Sequence, residues 1–332
     1  MSDMQVVRIR GSGSPPLVLE RAPALRPEAS ELVVRVHASA LNRADLMQMR
    51  GLYPAPPGAP PDIPGLEYAG EVLEVGAAVR RFKVGDRVMG LVGGGAFAEQ
   101  VRVHEREALS VPGNLSFEEA AAIPEAFLTA FDALVVQAKL LPGESVLIHA
   151  VASGVGSAAA QLCRAMGARA LGTVRSAGKL DRTRAWGLAA THVVTADAPG
   201  FSSWAKESTG GRGVDVVLDL VGGTYSQQTL ESLAQRGRWM LVGLVAGREA
   251  TVDLAMLLSR RVQLTGTVMR SRPLEEKLQL VQTAERSLVP LFQSGALTPV
   301  IEATCPMRDV NDAVQRMERN DTVGKLVLTW AS

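Results

Sequence analysis

Apolar residues fall in short runs whose spacing changes along the chain. Ser145 to Ala150 is apolar and β-branched at its start, which predicts a buried strand. Ala158 to Met166 is compatible with a helix that stops at Gly167, and Arg169 to Val174 predicts a second strand. Together these make a βαβ unit. Val214 to Asp219, Arg238 to Gly243 and Val262 to Met269 repeat the buried-strand pattern with helical stretches between them. Such alternation predicts a doubly wound parallel sheet.

The N-terminal third has a different rhythm. Met4 to Arg10 and Glu31 to Ala38 read as strands, the latter partly alternating, and prolines 15, 16, 23 and 27 break the region between them. A turn at Ser39 leads into a short helix, and a stiff proline-rich loop runs from Pro54 to Pro64. Short strands with glycine turns follow as far as Val103, so this part predicts a barrel-like β unit. Ser116 and Glu119 have capping-box spacing, and helix interrupted near Pro124 is predicted over Ala120 to Leu140. Leu274 to Gln293 and Met307 to Glu318 read as helices, and Gly324 to Trp330 as a closing strand.

The turn after Ala150 is the first candidate for chemistry. It reads Val151-Ala-Ser153-Gly154-Val155-Gly156. Small residues there let backbone amides approach a pyrophosphate, and the helix N-terminus favours the anion. Ala150, Ser153, Gly154, Val155 and Gly156 are therefore candidate cofactor contacts, with Gly243 at the end of a later strand. A site for NAD would place an acidic residue about 20 residues beyond the glycines. Here Arg175, Ser176 and Lys179 stand there instead, which points to the 2′-phosphate of NADPH; basic residues solvated on a loop are the plainer reading.

Composition narrows the classes. A chain of 332 residues, 47% hydrophobic and 21% charged, is expected to form two globular domains. The net charge of +1 gives no reason to propose nucleic acid or an acidic membrane surface as partner. Two cysteines, Cys163 and Cys305, argue against a disulfide framework and suit a reducing compartment. With no signal-like N-terminus and no long apolar span, a cytoplasmic protein is expected.

Several motifs together carry a family resemblance. They are Asn42-Arg43-Ala44-Asp45, Gly51-Leu52-Tyr53-Pro54, Gly65 to Gly70, Ile123 to Ala130, His149 to Gly156 and Gly324 to Leu328. On these the chain resembles the quinone oxidoreductase branch of the medium-chain dehydrogenase/reductase superfamily, close to the p53-inducible quinone oxidoreductase-like group. The resemblance implies an α/β protein with a GroES-like β-barrel domain and a doubly wound Rossmann domain. Residues 1–121 and 267–332 would form the catalytic domain, and 122–266 the inserted NADPH domain, with the active-site cleft between them. A homodimer joined along the last strand of the nucleotide sheet is implied as well.

The resemblance also suggests roles. Tyr53 would donate a hydrogen bond to a substrate carbonyl, Asn42 would hold the nicotinamide ribose or carboxamide, and Ser153 and Thr129 would lie beside the nicotinamide. Each has a plainer reading. Tyr53 could pack on the proline run, Asn42 could cap the short helix, Ser153 could simply fit a tight turn, and Thr129 could bond its own helix backbone. Zinc-dependent relatives carry a cysteine near Asn42 and a histidine before Glu67, where this chain has Leu41, Arg43 and Leu66. No metal is therefore expected, and Glu67 reads as a structural acceptor. Thr195-Ala196 replaces a tyrosine that many quinone oxidoreductases place near the NADP phosphate. No strong general acid is evident in the sequence, which suits quinone reduction by hydride transfer. The alternatives are a reductase of α,β-unsaturated carbonyls and a low-turnover NADPH-binding protein.

Overall fold

The computed structural model describes residues 3–11, 17–194 and 200–330. The expectation at Thr195-Ala196 lies outside them. Two compact units emerge. One joins Met1–Leu128 to Met269–Ser332, and the other is the continuous segment Thr129–Val268. Among the described residues no helix is long and apolar enough to cross a membrane.

The first unit is mostly sheet. β1 (Asp3–Ile9) and β2 (Leu17–Pro23) form an antiparallel pair. β3 (Glu31–Leu41), β4 (Glu67–Val75), β5 (Arg87–Leu91), β6 (Gln100–His104) and β7 (Ala108–Ser110) belong to a second sheet. β3 is its hub, antiparallel to both β4 and β6. Its alternating apolar side chains Leu32, Val34 and Val36 enter a core with Tyr68, Val72, Val88, Val101 and Val103. Burying one such side chain stabilises by about 1.5–3 kcal/mol.

The helices here follow their end signals. α1 (Arg43–Met49) starts after Asn42, whose backbone N–H donates to the Asp45 carboxylate. α2 (Phe117–Ala121) opens on the reciprocal Ser116/Glu119 capping box. Pro124 starts α3 (Pro124–Phe131), a position where its missing N–H costs nothing.

The second unit is layered around a six-stranded parallel sheet. Its strands are β8 (Ser145–Ile148), β9 (Arg169–Val174), β10 (Ala190–Val193), β11 (Val214–Asp219), β12 (Leu233–Leu241) and β13 (Gln263–Gly266). Their order is β10-β9-β8-β11-β12-β13, with the chain reversing direction across the sheet between β8 and β11. α4 (Gly154–Ala165) packs on β8 and β9. β12 begins five residues before Arg238. β13 is shorter than the apolar run Val262–Met269, because only Gln263 to Gly266 pair with β12.

The chain then returns to the first unit. The helix Leu274–Gln293 spans the stretch its periodicity indicates. β14 (Ile301–Pro306) and β15 (Lys325–Thr329) follow, and β15 pairs antiparallel with the far end of β3. That pairing carries Lys325 to the level of Leu41 and Asn42.

Candidate active site

A buried polar knot lies in the first unit where β15, β4 and the start of α1 meet. Glu67 is fully buried, and Lys325 and Asn42 nearly so. Lys325 Nζ donates to Glu67 Oε1 at 2.6 Å and to Asn42 Oδ1 at 2.5 Å. Asn42 Nδ2 donates to Glu67 Oε1 at 2.8 Å and to the Ala40 carbonyl at 3.1 Å. The other Glu67 oxygen accepts the backbone N–H of Glu125 at 2.8 Å. Asn42 thus contributes its backbone to the α1 cap and commits its side chain to this knot.

Two carboxyl groups flank it. Asp45 accepts the backbone N–H groups of Asn42 and Gly65. Burial nevertheless pushes its carboxyl up to about 7, and the nearby Glu67 adds to the push. Glu125, half-buried at the start of α3, is likewise raised to about 7, by burial first and by Glu67 second; Lys325 and Arg270 oppose the shift.

Tyr53 stands on the loop leaving α1, half-buried. Arg270 holds that loop. Its Nη1 donates to the Tyr53 carbonyl at 2.8 Å, its Nε to the Gly93 carbonyl at 2.8 Å and its Nη2 to Gln48 Oε1 at 2.6 Å. The guanidinium also stacks 5.0 Å from the Tyr53 ring centroid. Burial raises the phenol's pKa, and the Glu125 carboxylate raises it further. Tyr53 is therefore tied down by its backbone and its ring face.

The second unit carries the remaining candidates. Ser153 accepts the Gly156 N–H at 3.1 Å and so caps α4. A Cβ on Gly156 would lie 2.5 Å from the Ala150 carbonyl oxygen and 2.6 Å from Val151 Cα, so only glycine lets α4 start this close to β8. Ala150 takes a left-handed φ of 50°, unusual for a residue with a Cβ. Gly154 and Val155 form the first turn of α4 and are partly accessible. Gly243 follows β12, its N–H donating to the Asp219 carbonyl. Arg175 and Ser176 are exposed just after β9, and Lys179 is half-buried in the short turn beyond. The Arg175 charge reaches Tyr225, where it opposes the burial-driven rise of that phenol. Thr129 is 4% exposed and its hydroxyl has no hydrogen-bond partner among the described residues. The bond to its own helix backbone is thus not made.

Comparison with known proteins places the chain. The alcohol dehydrogenase GroES-like domain family matches residues 28–113, and the zinc-binding dehydrogenase family matches residues 154–285. The quinone oxidoreductase-like protein 2 homolog of Nematostella vectensis is 31% identical over 319 residues, covering 95% of this chain and 86% of that protein. A solved quinone oxidoreductase of Pseudomonas syringae superposes over 99% of this chain and 100% of its own, with a TM-score of 0.86 and 31% identity. The chain belongs to the quinone oxidoreductase-like group of the medium-chain dehydrogenase/reductase superfamily. A solved enoyl reductase, JamJ, matches equally well in fold, with a TM-score of 0.86 at 27% identity over 99% of this chain and 100% of its own. The synaptic vesicle membrane protein VAT-1 homolog of Danio rerio is 32% identical over 321 residues; these cover 92% of this chain but 65% of that longer protein.

Two groups implied by this family can be tested against the side chains. A dinucleotide fits. The open first turn of α4, the close approach at Gly156, the exposed Arg175 and Ser176 and the orphaned Thr129 hydroxyl are the partners such a ligand needs. A zinc ion does not fit. Leu41, Arg43 and Leu66 offer no ligand beside Glu67, whose carboxylate is bonded to the Lys325 ammonium. Among the described residues no three His, Cys, Asp or Glu side chains gather as a ligand set.

Sequence reading did not single out Lys325, Arg270, Asp45 or Glu125 for chemistry. Lys325 had a signal, a lone lysine entering an otherwise apolar strand. Arg270 had none.

Proposed function

We propose that this chain is an NADPH-dependent, zinc-independent oxidoreductase that reduces quinones by hydride transfer. The observation that carries this reading is the Lys325–Glu67–Asn42 knot. An ammonium neutralises the carboxylate that a metal would otherwise use, so the acceptor must be electrophilic without a Lewis acid. Quinones meet that condition.

Bound NADPH would supply the hydride. The chain's residues do the rest. Backbone N–H groups at Gly154 and Val155 would hold the pyrophosphate, and Arg175, Ser176 and Lys179 the 2′-phosphate. Ala150, Ser153, Gly156 and Gly243 keep the surrounding backbone close and small. The Thr129 hydroxyl would take its missing partner from the cofactor. Asn42, turned by Glu67 and Lys325, would act indirectly by fixing the start of α1. Tyr53, held by Arg270, would orient the acceptor carbonyl.

Steady-state oxidation of NADPH and NADH with 1,2- and 1,4-quinones and with enals tests this. Turnover of quinones with preference for NADPH is expected. A second reading, reduction of α,β-unsaturated carbonyls, draws on the enoyl reductase likeness and on the acidic group beside Tyr53. Turnover confined to enals would establish it. Tight NADPH binding with no turnover on either class would leave a low-turnover NADPH-binding protein.

We also propose a homodimer formed through β13. That strand is the edge of the sheet; its own Leu264, Val268 just after it, and Leu254 and Leu258 on the preceding helix are 47–77% exposed. An apolar open edge of this kind pairs readily with a second copy. Sedimentation showing only a 35.2 kDa species at micromolar concentration would refute it. The free thiols of Cys163 and Cys305 suit the reducing cytoplasm, where we place the protein.

A further inference from the structure

A small cavity in the first unit has a polar lining that quinone reduction as described above does not use. Its volume is about 20 Å³, enough for one water molecule. Glu125, Glu107, Arg270 and Lys277 line it, against apolar walls from Leu66 and Val281. Glu107, Lys277 and Glu125 are all half-buried; the Glu125 backbone N–H is bonded to Glu67 in the knot, and its charge reaches Tyr53. Four charged side chains around room for a single water make a proton path more readily than a ligand pocket.

We propose that Glu125 is the proton reserve of the reductive step, reloaded from solvent through this cavity and acting by way of Tyr53. The proposal rests on the reductase reading. Hydride from the reduced nicotinamide adds two electrons and one proton to the acceptor, which is left as an oxyanion while the nicotinamide is oxidised. The Tyr53 hydroxyl gives its proton to that oxygen. The phenolate then recovers a proton from the Glu125 carboxylic acid by way of water, since the two side chains share no hydrogen bond, and the carboxylate recovers one from bulk water through the cavity. Glu125 is the stronger acid of the two, so the second transfer runs downhill.

The surroundings suit a group that holds its proton near neutrality. Glu67 on β4, Asp45 on α1 and burial favour the acid, while Lys325 on β15 and Arg270 oppose it. Elsewhere in the cavity lining, burial likewise raises Glu107, and Lys277 moderates it. Glu125 is also fixed at its backbone by the bond to Glu67 Oε2, so Glu125→Gln preserves that anchor.

Infrared titration of the cofactor-free protein provides a readout independent of turnover. The difference between wild type and Glu125→Gln isolates the Glu125 carboxylic acid band from that of Asp45. It is expected to disappear with a midpoint near pH 7 and to persist in Glu107→Gln. A Glu125 ionised throughout pH 5–8 overturns the proposal. In turnover, wild-type kcat should fall as pH rises through about 7. Glu125→Gln should lose that limb and up to about tenfold in kcat at pH 6, no more than Tyr53→Phe loses, with NADPH affinity unchanged. A lower melting temperature with the wild-type pH limb intact would make Glu125 merely structural and overturn the proposal. If wild type reduces no acceptor while the infrared band titrates as expected, it is the reductase reading that fails. The infrared result alone then decides whether Glu125 holds its proton.

Discussion

The two units build their candidate sites from different materials. The nucleotide unit relies on backbone: a strand end, a turn of small residues and the first N–H groups of α4. The other unit relies on side chains brought from six separate stretches, namely Asn42, Tyr53, Glu67, Glu125, Arg270 and Lys325. A backbone site tolerates many side-chain changes and fails when a Cβ intrudes. A side-chain knot tolerates little, because each charge in it is satisfied by the others.

Breaking that contrast is easiest at Lys325. Lys325→Met leaves the Glu67 carboxylate buried and unpaired, which costs about 3–5 kcal/mol. Denaturant unfolding should show that loss, and the double variant Glu67→Gln/Lys325→Met should regain most of it. No loss in the single variant would mean the knot is dispensable. In the nucleotide unit the largest effect expected from one side chain falls on binding. Arg175→Ala should weaken NADPH by about 1.5–3 kcal/mol, roughly ten- to a hundredfold, and leave NADH unchanged. Calorimetric titration checks this, and equal affinities for the two cofactors in wild type would remove the 2′-phosphate contact.

Tyr53→Phe should have a smaller effect. With quinones the lost hydroxyl costs about 0.5–1.5 kcal/mol, at most about tenfold in kcat/KM, while the cofactor Kd stays the same. A loss of about a hundredfold confined to enals would favour the second substrate class, because charge develops on the carbonyl oxygen there.

A further effect is on stability against pH. Asp45 and Glu125 both have carboxyls raised to about 7, above the values they take in the unfolded chain. Between about pH 4 and 7 the folded chain therefore binds more protons than the unfolded one. Their contribution weakens as pH rises through that window and is fully lost above it. The melting temperature should decline from pH 5 to 7.5, and the slope should be shallower in Glu125→Gln. An unchanged slope in that variant would place the titration elsewhere.

This contrast also governs how much could be read in advance. The nucleotide unit was legible because strand, glycine spacing and helix are contiguous, and the geometry around Gly156 follows from local sterics. The Ser116/Glu119 cap and the helix at Leu274 were legible for the same reason. β13 is shorter than its apolar run because pairing with β12, a non-local fact, sets its ends. Arg270 could not be found, since its partners Gln48, Tyr53 and Gly93 lie some two hundred residues upstream and no local pattern marks it. Glu125 looked like an ordinary acidic residue in the first turn of a helix. Only burial beside Glu67 changes its acidity. Asn42 had two readings, and its backbone serves the α1 cap while its side chain joins the knot.

The pairing of β15 with β3 has a consequence for how the molecule is made. Lys325 lies 258 residues after Glu67 in the chain. At ordinary synthesis rates of about 5–20 residues per second, tens of seconds separate the carboxylate from its cation. The nucleotide unit is one continuous segment within that interval and can fold as soon as it has emerged. The β-rich unit cannot close until β15 arrives, so on the ribosome it waits with an acidic residue at its future centre and one flank of β3 unpaired. Of the two units it is the one exposed to chaperones and to aggregation during synthesis.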